Sequence, residues 1–417
     1  MSGWDAVIVA ATLFAYALVS GRLARSAVSA AMVFATAGLV LGDGGLGVLD
    51  VDLGSSALKL LAEITLALVL FVDASSIDTT RLERERSLPL RLLGLGLPGT
   101  ILLGSLLAWW IFPDLVVFEA LTLAVLLAPT DAALGQAVVT DERLPSMVRQ
   151  GLNVESGLND GICVPLLVAA LSFAEAEEAL VAGGDVLVDL VTELAIAVGV
   201  GAASVRLSDA RGWVAPAWRQ IVPLAAAVGA YAATQELGGS GFIAAFVGGL
   251  VFGKVLGADA HDDTELTEDL GDLLSAVTFV LFGAVLVEVD ASTFSMRNVG
   301  FAVLALTVIR MGPVALSMVG SGARLPSVGF VGWFGPRGLA TIVFALTVVE
   351  DSGLSGTERI VDVAMITVLL SVFAHGLSAS RLTSAYVAWV GSQPSPLGME
   401  SMEVASGVHR RRRARSQ

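Results

Sequence analysis

Residues 121–139 read LTLAVLLAPTDAALGQAVV, and residues 148–171 read VRQGLNVESGLNDGICVPLLVAAL. Both runs are apolar and long enough to cross a hydrocarbon layer, which takes about 20 helical residues. Each nevertheless carries oxygen-bearing and acidic side chains in its interior: Thr130 and Asp131 in the first, Glu155, Ser156, Asn159 and Asp160 in the second. An ionisable group at that depth costs from a few to roughly ten kcal/mol. A chain that places several together is expected to handle ions or protons there.

The rest of the chain supplies the same kind of helix. Of its 417 residues, 55% are hydrophobic and 15% charged, whereas average proteins carry about 25% charged residues. Mean hydropathy is +0.80. Apolar spans recur near 5–20, 26–42, 56–77, 88–111, 116–139, 147–173, 184–205, 216–234, 238–256, 268–288, 298–319, 327–349 and 360–381. Membrane barrels would show short alternating segments instead, and the 45 glycines suit helices that approach closely in lipid. The fold class expected is an all-α polytopic membrane protein of about thirteen transmembrane helices.

Charge placement orients it. Arg22 and Arg25, Arg81, Arg84 and Arg86, Arg143 and Arg149, and Arg206, Arg211 and Arg219 fall on one side of the alternating connections, with Lys254, Arg324, Arg381 and the closing Arg410–Arg413. The opposite connections are mainly acidic. The positive-inside rule then puts the N-terminus outside and the C-terminus in the cytoplasm of a cell-membrane protein. The formal net charge of −15 does not oppose this, because acidic residues contribute little to orientation. The first apolar run reads as helix 1 rather than a removable signal peptide. Cys163 is the only cysteine, so an internal disulfide is excluded, and three scattered histidines do not suggest structural zinc. No cofactor is expected. No glycine loop followed by lysine marks a nucleotide site, nothing points to nucleic acid, and no nucleophile–base set marks an enzyme. The stretch 386–417 is expected to be a short polar and basic cytoplasmic tail, in contact with anionic headgroups or simply solvated, behind a transmembrane domain of 1–385.

Pro129 lacks an amide hydrogen, so a continuous helix is disfavoured there. Interrupted helices at mid-membrane depth expose carbonyls and helix ends that bind ions. Asp131 offers a hard carboxylate beside that break, and Thr130 neutral oxygens; the plain alternative is a proline kink with Asp131 bonded to backbone. In the next span, helical spacing puts Ser156 and Asp160 on one face and Glu155 and Asn159 on its neighbour. Asp160 is the strongest candidate for the carboxylate that exchanges a metal cation for a proton, with Ser156 completing the coordination. Asn159 both donates and accepts, which suits orienting Asp131 or tying the broken helix to span six. A site that binds either a proton or a monovalent cation makes exchange obligatory if the empty charged site crosses poorly; one carboxylate titrating against one cation is electroneutral, and two titrating together are not.

Residues 331–349 read VGWFGPRGLATIVFALTVV. Arg337, between Pro336 and Gly338, again falls where regular helix should fail. A buried guanidinium needs an anionic partner, and Glu155 is the most economical choice; Arg310 in span eleven is a second embedded cation whose partner the sequence leaves open. Breaks in spans five and twelve predict an inverted repeat of six helices, about 5–173 and 216–381, joined by helix 7, with discontinuous helices crossing at the midplane. Asp73, in LALVLFVDASSID (66–78), lines an ion pathway or merely ends a helix. Asp78 is assigned to the loop that follows. Lys59, Glu63, Asp189 and Glu193 read equally as paired structural charges or pathway groups.

Three motifs, Ala128-Pro129-Thr130-Asp131, Glu155 to Gly161 (ESGLNDG) and Gly335-Pro336-Arg337-Gly338, resemble those of bacterial and archaeal Na+/H+ exchangers of the monovalent cation:proton antiporter 1 family, the NhaP-like group. The resemblance covers about residues 5–385. It implies the NhaA/NhaP-like fold and ion binding by Asp131 and Asp160 with help from Ser156 and Thr130. It also implies a Glu155–Arg337 pair, the electroneutral branch marked by Asn159, and a homodimer with separate core and interface domains working by an elevator-like movement. Ala132, Phe334 and Pro336 depart from the usual pattern, without removing an oxygen ligand. The expected activity is exchange of Na+, with Li+ as a companion, for H+ in pH and cation homeostasis. The alternatives are a K+/H+-selective exchanger and a non-transporting membrane sensor on the same scaffold.

Overall fold

The computed structural model describes residues 3–393 apart from 24–25, 52–54, 78–86, 176–194, 196–198, 200–213, 216–217, 238, 258–259, 287–292 and 352–353. The described chain is helical, and its helices fall where hydropathy places spans. They are α1 Gly3–Leu23, α2 Ala30–Leu41, α3 Ser56–Ser75, α4 Ser87–Ile111, α5 Val117–Leu126, α6 Gln136–Val139, α7 Ser146–Glu175, α8 Ile221–Glu236, α9 Gly241–Leu256, α10 Ala260–Val285, α11 Met296–Ser317, α12 Leu325–Trp333, α13 Leu339–Asp351 and α14 Thr357–Gly391. The seventh predicted span, with Asp189 and Glu193, lies outside the described residues except at Ala195 and Gly199, and Asp78 and positions 394–417 of the tail lie outside them too. Among the described residues five helices, α1, α4, α7, α11 and α14, are by length and composition each long and apolar enough to cross a membrane. Large apolar side chains such as Leu18, Trp110, Leu316 and Leu325 stand exposed on the outside, which suits a surface solvated by lipid tails.

Four local rules shape the helices. The fifth and twelfth spans are each split, into α5/α6 and α12/α13. A π turn at Leu92–Gly96 precedes Pro98 in α4, where the absent N–H upsets the regular ladder. The ladder of α11 breaks at Thr307, whose φ of −115° and ψ of −92° are not helical. The final helix continues to Gly391, ten residues past the predicted end of its span, because Tyr386 and Val390 are buried, with the Tyr386 ring stacked on Phe330 of α12.

Glycines set how closely the helices approach. Gly249 and Gly253 of α9 lie directly on the backbone of Phe71 and Ser75 in α3, and Gly38 of α2 lies on Val280 of α10, so a Cβ at any of them would overlap main-chain atoms. Small residues one turn apart are the usual means of close contact between membrane helices. On α7, Gly157 faces Asp73 of α3 and Gly161 faces Phe246 of α9. That packing carries Asp160 in among α3, α5, α9 and α13.

Candidate functional site

The N-terminus of α5 is fixed by Glu119, whose Oε2 accepts from Val116 N at 3.0 Å while Oε1 accepts from Ser355 Oγ at 2.9 Å and Gly356 N at 2.8 Å. The helix runs to Leu126 and then fails ahead of Pro129, leaving carbonyls without helical partners. Arg337 takes two of them: its Nη1 donates to Ala128 O at 2.6 Å and to Pro129 O at 2.7 Å. Thr341 Oγ1 donates to Leu126 O at 3.2 Å.

Asp131 serves the opposite polarity. Its N–H donates to Pro336 O at 2.8 Å, so the two breaks touch through backbone. Its Oδ2 accepts from Leu339 N, the first residue of α13, at 2.9 Å, and its Oδ1 accepts from Ala133 N at 2.9 Å and Leu134 N at 3.1 Å. A cation thus sits at the C-terminal end of α5 and an anion at the N-terminal end of α13, as helix dipoles favour. The backbone-bonded alternative for Asp131 describes its contacts, and the crossing it caps is the predicted one. Gly338 makes room for it: a Cβ there would coincide with the Asp131 carboxylate.

The serine, threonine and asparagine form one knot. Asn159 Nδ2 donates to Thr130 Oγ1 at 2.6 Å, Thr130 N donates to Asn159 Oδ1 at 3.3 Å, and Thr130 Oγ1 lies 3.0 Å from Ser156 Oγ. Of the two roles expected for Asn159, its hydrogen bonds match the link between the broken helix and α7. Asp160 lies beside this knot, 7% exposed, and its Oδ1 is buried with no hydrogen-bond partner. A buried oxygen left unpaired carries the full cost of desolvation, so it invites a cation or a proton. Asp73 on α3 packs against Gly157, half-buried at the edge of the same site.

The expected Glu155–Arg337 pair is not formed. Glu155 instead pairs with Arg310: Nη1 to Oε1 at 2.5 Å and Nη2 to Oε2 at 2.8 Å, both side chains about 2% exposed. Arg337 is occupied by the carbonyls at the first break, and its own N–H by Ser371 Oγ at 2.6 Å. The break of α11 at Thr307 lies one turn before Arg310. Lys59 and Glu63 lie 3.8 Å apart along α3. Sequence reasoning passed over Ser371 and His375 of α14, whose spacing of one helical turn inside an apolar run was the available signal.

A bundle of membrane-spanning helices around two crossed, interrupted ones, with a buried carboxylate at the crossing, defines the class: a multi-pass membrane protein of the secondary-transporter kind. The family described as sodium/hydrogen exchanger, transmembrane, matches residues 8–385, and the chain belongs to it. The family is one of transporters, not enzymes. The fold is that of the sodium proton antiporter MjNhaP1 from Methanocaldococcus jannaschii, with a TM-score of 0.75 at 19% identity over 95% of this chain and 100% of that one. The K(+)/H(+) antiporter NhaP2 of Shewanella sp. (strain MR-4) is 24% identical, over 91% of this chain and 66% of its own length. The Na(+)/H(+) antiporter ApNhaP of Aphanothece halophytica is 26% identical, over 80% of this chain and 66% of its own. The chain therefore spans slightly less than two thirds of the length of these relatives.

Proposed function

We propose that this protein exchanges a monovalent cation for a proton across the cell membrane, with Asp160 as the group that binds one or the other. The observation that carries the reading is the buried, unpartnered Oδ1 of Asp160 beside crossed helix breaks. Ser156 and Thr130 are the neutral oxygens closest to hand in this reading, and they exchange their mutual contact for the cation. Asp131 contributes a carboxylate held by three backbone N–H groups, and Asn159 keeps Thr130 and the broken helix in register with α7. Asp73 lies on the path of approach.

Two buried guanidinium groups, Arg310 and Arg337, and three carboxylates, Glu155, Asp131 and Asp160, supply the principal fixed charges around the crossing. Loading one proton or one monovalent cation on Asp160 produces the same net charge. That equality supports one-for-one, electroneutral exchange. The role is cation and pH homeostasis, with the N-terminus outside, an inverted pair of six-helix repeats and a homodimer as the working assembly.

Sodium is the cation favoured by the hard oxygen donors and by the motif resemblance. The relatives tilt the choice to potassium, because the one matched over 91% of this chain is named for K+ and the one named for Na+ matches over 80%. Potassium is accordingly the first cation to test.

The test is pH-gradient dissipation in proteoliposomes on adding K+, Na+ or Li+. The expected result is dissipation by K+, or by Na+, that Asp160→Ala abolishes and Asp131→Ala severely reduces. Wild-type rates in a folded Asp160→Ala protein would end the assignment. An imposed membrane voltage is expected to leave the rate unchanged; strong driving by voltage would rule out one-for-one exchange.

A further inference from the structure

The break between α12 and α13 takes backbone groups out of both helical ladders; Gly335 N donates to Trp333 O at 2.8 Å, and a polar stripe on α14 meets that same carbonyl and the N–H of Arg337. Ser371, His375 and Ser378 follow one another at helical spacing on α14. Ser371 Oγ accepts the N–H of Arg337 at 2.6 Å and lies 3.1 Å from His375 Nδ1. His375 Nε2 lies 2.9 Å from Trp333 O, the last residue of α12. The Trp333 ring packs against the His375 ring with centroids 4.9 Å apart, and Trp333 Nε1 donates to Ser378 Oγ at 2.9 Å. Ser371 and His375 are both at most 1% exposed.

Both ring nitrogens face a carbonyl oxygen, Nε2 that of Trp333 at 2.9 Å and Nδ1 that of Ser371 at 3.0 Å, and a carbonyl only accepts, so these contacts fix the place of the ring rather than its tautomer. Ser371 Oγ, which accepts from Arg337 N, lies against the same Nδ1. The contacts of Arg337 N with Ser371 Oγ, of Ser371 with His375 Nδ1 and of His375 Nε2 with Trp333 O run across the break from one side to the other. Arg337 lies inside it, and its guanidinium lies on Ala128 O and Pro129 O of the other interrupted helix.

We propose that Ser371 and His375 are positioning residues for exchange: they set the geometry of the α12–α13 break and thereby hold Arg337 on the α5 break beside Thr130 and Asp131. Neither binds the transported ion, and His375 acts through its fixed hydrogen bonds rather than by gaining or losing a proton in the cycle. The proposal rests on the exchange reading for its transport consequences and on geometry alone for its structural ones.

The experiment compares His375→Leu with His375→Gln, and Ser371→Ala with Ser371→Thr, each as full chain in proteoliposomes and in detergent. Glutamine places an amide N–H near the position of Nε2 but cannot titrate; threonine keeps the hydroxyl. Loss of a buried hydrogen-bond partner is expected to lower the exchange rate and raise the apparent cation KM about tenfold in His375→Leu and Ser371→Ala. His375→Gln and Ser371→Thr are expected to stay within about twofold of the parent, with an unchanged pH profile. A His375→Gln protein as impaired as His375→Leu, or one with a shifted pH profile, would overturn the proposal, as would wild-type KM in folded His375→Leu and Ser371→Ala. Melting in detergent reads the clamp without transport: lower midpoints for His375→Leu and Ser371→Ala, restored by glutamine and threonine, are expected, and equal midpoints across all four would overturn it. Failure of the parent protein to exchange any cation would defeat the antiport reading, and the melting comparison would still decide the clamp.

Discussion

Glu155 is held by Arg310 through two parallel hydrogen bonds, at 2.5 and 2.8 Å, while Arg337 lies across the helix crossing with its guanidinium on the carbonyls of Ala128 and Pro129. The two buried arginines therefore divide the work. One neutralises the acid at the start of the ESGLNDG segment; the other ends a broken helix. The division explains why the site keeps two guanidinium groups in a membrane interior. Each satisfies something that would otherwise be a bare charge or an orphaned backbone group.

Removing one partner of a buried ion pair strands the other, which costs about 3–5 kcal/mol. Arg310→Met is expected to lower the melting midpoint in detergent strongly, and Arg310→Lys to restore it only in part, because an ammonium cannot bond both carboxylate oxygens at once. An Arg310→Met protein that melts with the parent would show that the pair does not brace the core.

Asp160 presents the reverse case. Its Oδ1 has no protein partner to lose, so Asp160→Asn is expected to keep or raise thermal stability while losing exchange. Any stabilisation that added K+ or Na+ gives the parent protein should vanish with it. A cation-induced rise in melting midpoint persisting in Asp160→Asn would move the binding site elsewhere.

Gly338 is where a single methyl group should undo the crossing. Its Cβ would coincide with the Asp131 carboxylate and crowd Leu134, and that carboxylate is tied in place by the N–H groups of Ala133, Leu134 and Leu339. Overpacking of this kind costs about 1–3 kcal/mol. Gly338→Ala is therefore expected to reduce exchange severely and stability moderately. Gly300, with open space around its own Cβ position, is the control, and Gly300→Ala should leave exchange intact.

Asp141, in the connection between α6 and α7, is bonded by the Arg143 guanidinium, which holds its carboxyl below the usual value of 3.8. The sign is that of a carboxylate stabilised in its charged form: the contribution is present above the unfolded value and fades as pH falls through the folded one. The pair is at the surface and worth little. Asp141→Asn is thus expected to leave the pH profile of exchange near neutrality unchanged; a shifted midpoint there would assign this loop a part in setting it.

Much of this molecule is legible from residue order. Long apolar runs are at home in lipid, so the helical, membrane-spanning class follows from composition along the chain. Pro129, and Pro336 directly after Gly335, announce the interruptions, because a residue without an N–H cannot continue the ladder. Asp131 beside the first of those prolines, and the acids and amide of Glu155 to Asp160 in the next span, mark the candidate site. Less legible were contacts whose partners are chosen in space. The Asn159–Thr130 link was one of two roles the side chain permits, and the Ser371–His375 stripe looked like any polar pair on an apolar helix. The break of α11 at Thr307, which lies one turn before Arg310, has no proline at its own position to mark it.

What the sequence determined by itself is that oxygen-bearing side chains and two arginines lie within membrane helices, two of which are broken; the cost of burying them fixes that much wherever they meet. Only the tertiary structure decided which charge meets which. From residue order, Arg310 and Arg337 offer Glu155 the same Coulomb attraction, and the choice between them turns on angstroms of helix packing. Close glycine contacts and the capping demands of two severed helices set those distances, and both depend on segments far apart in the chain.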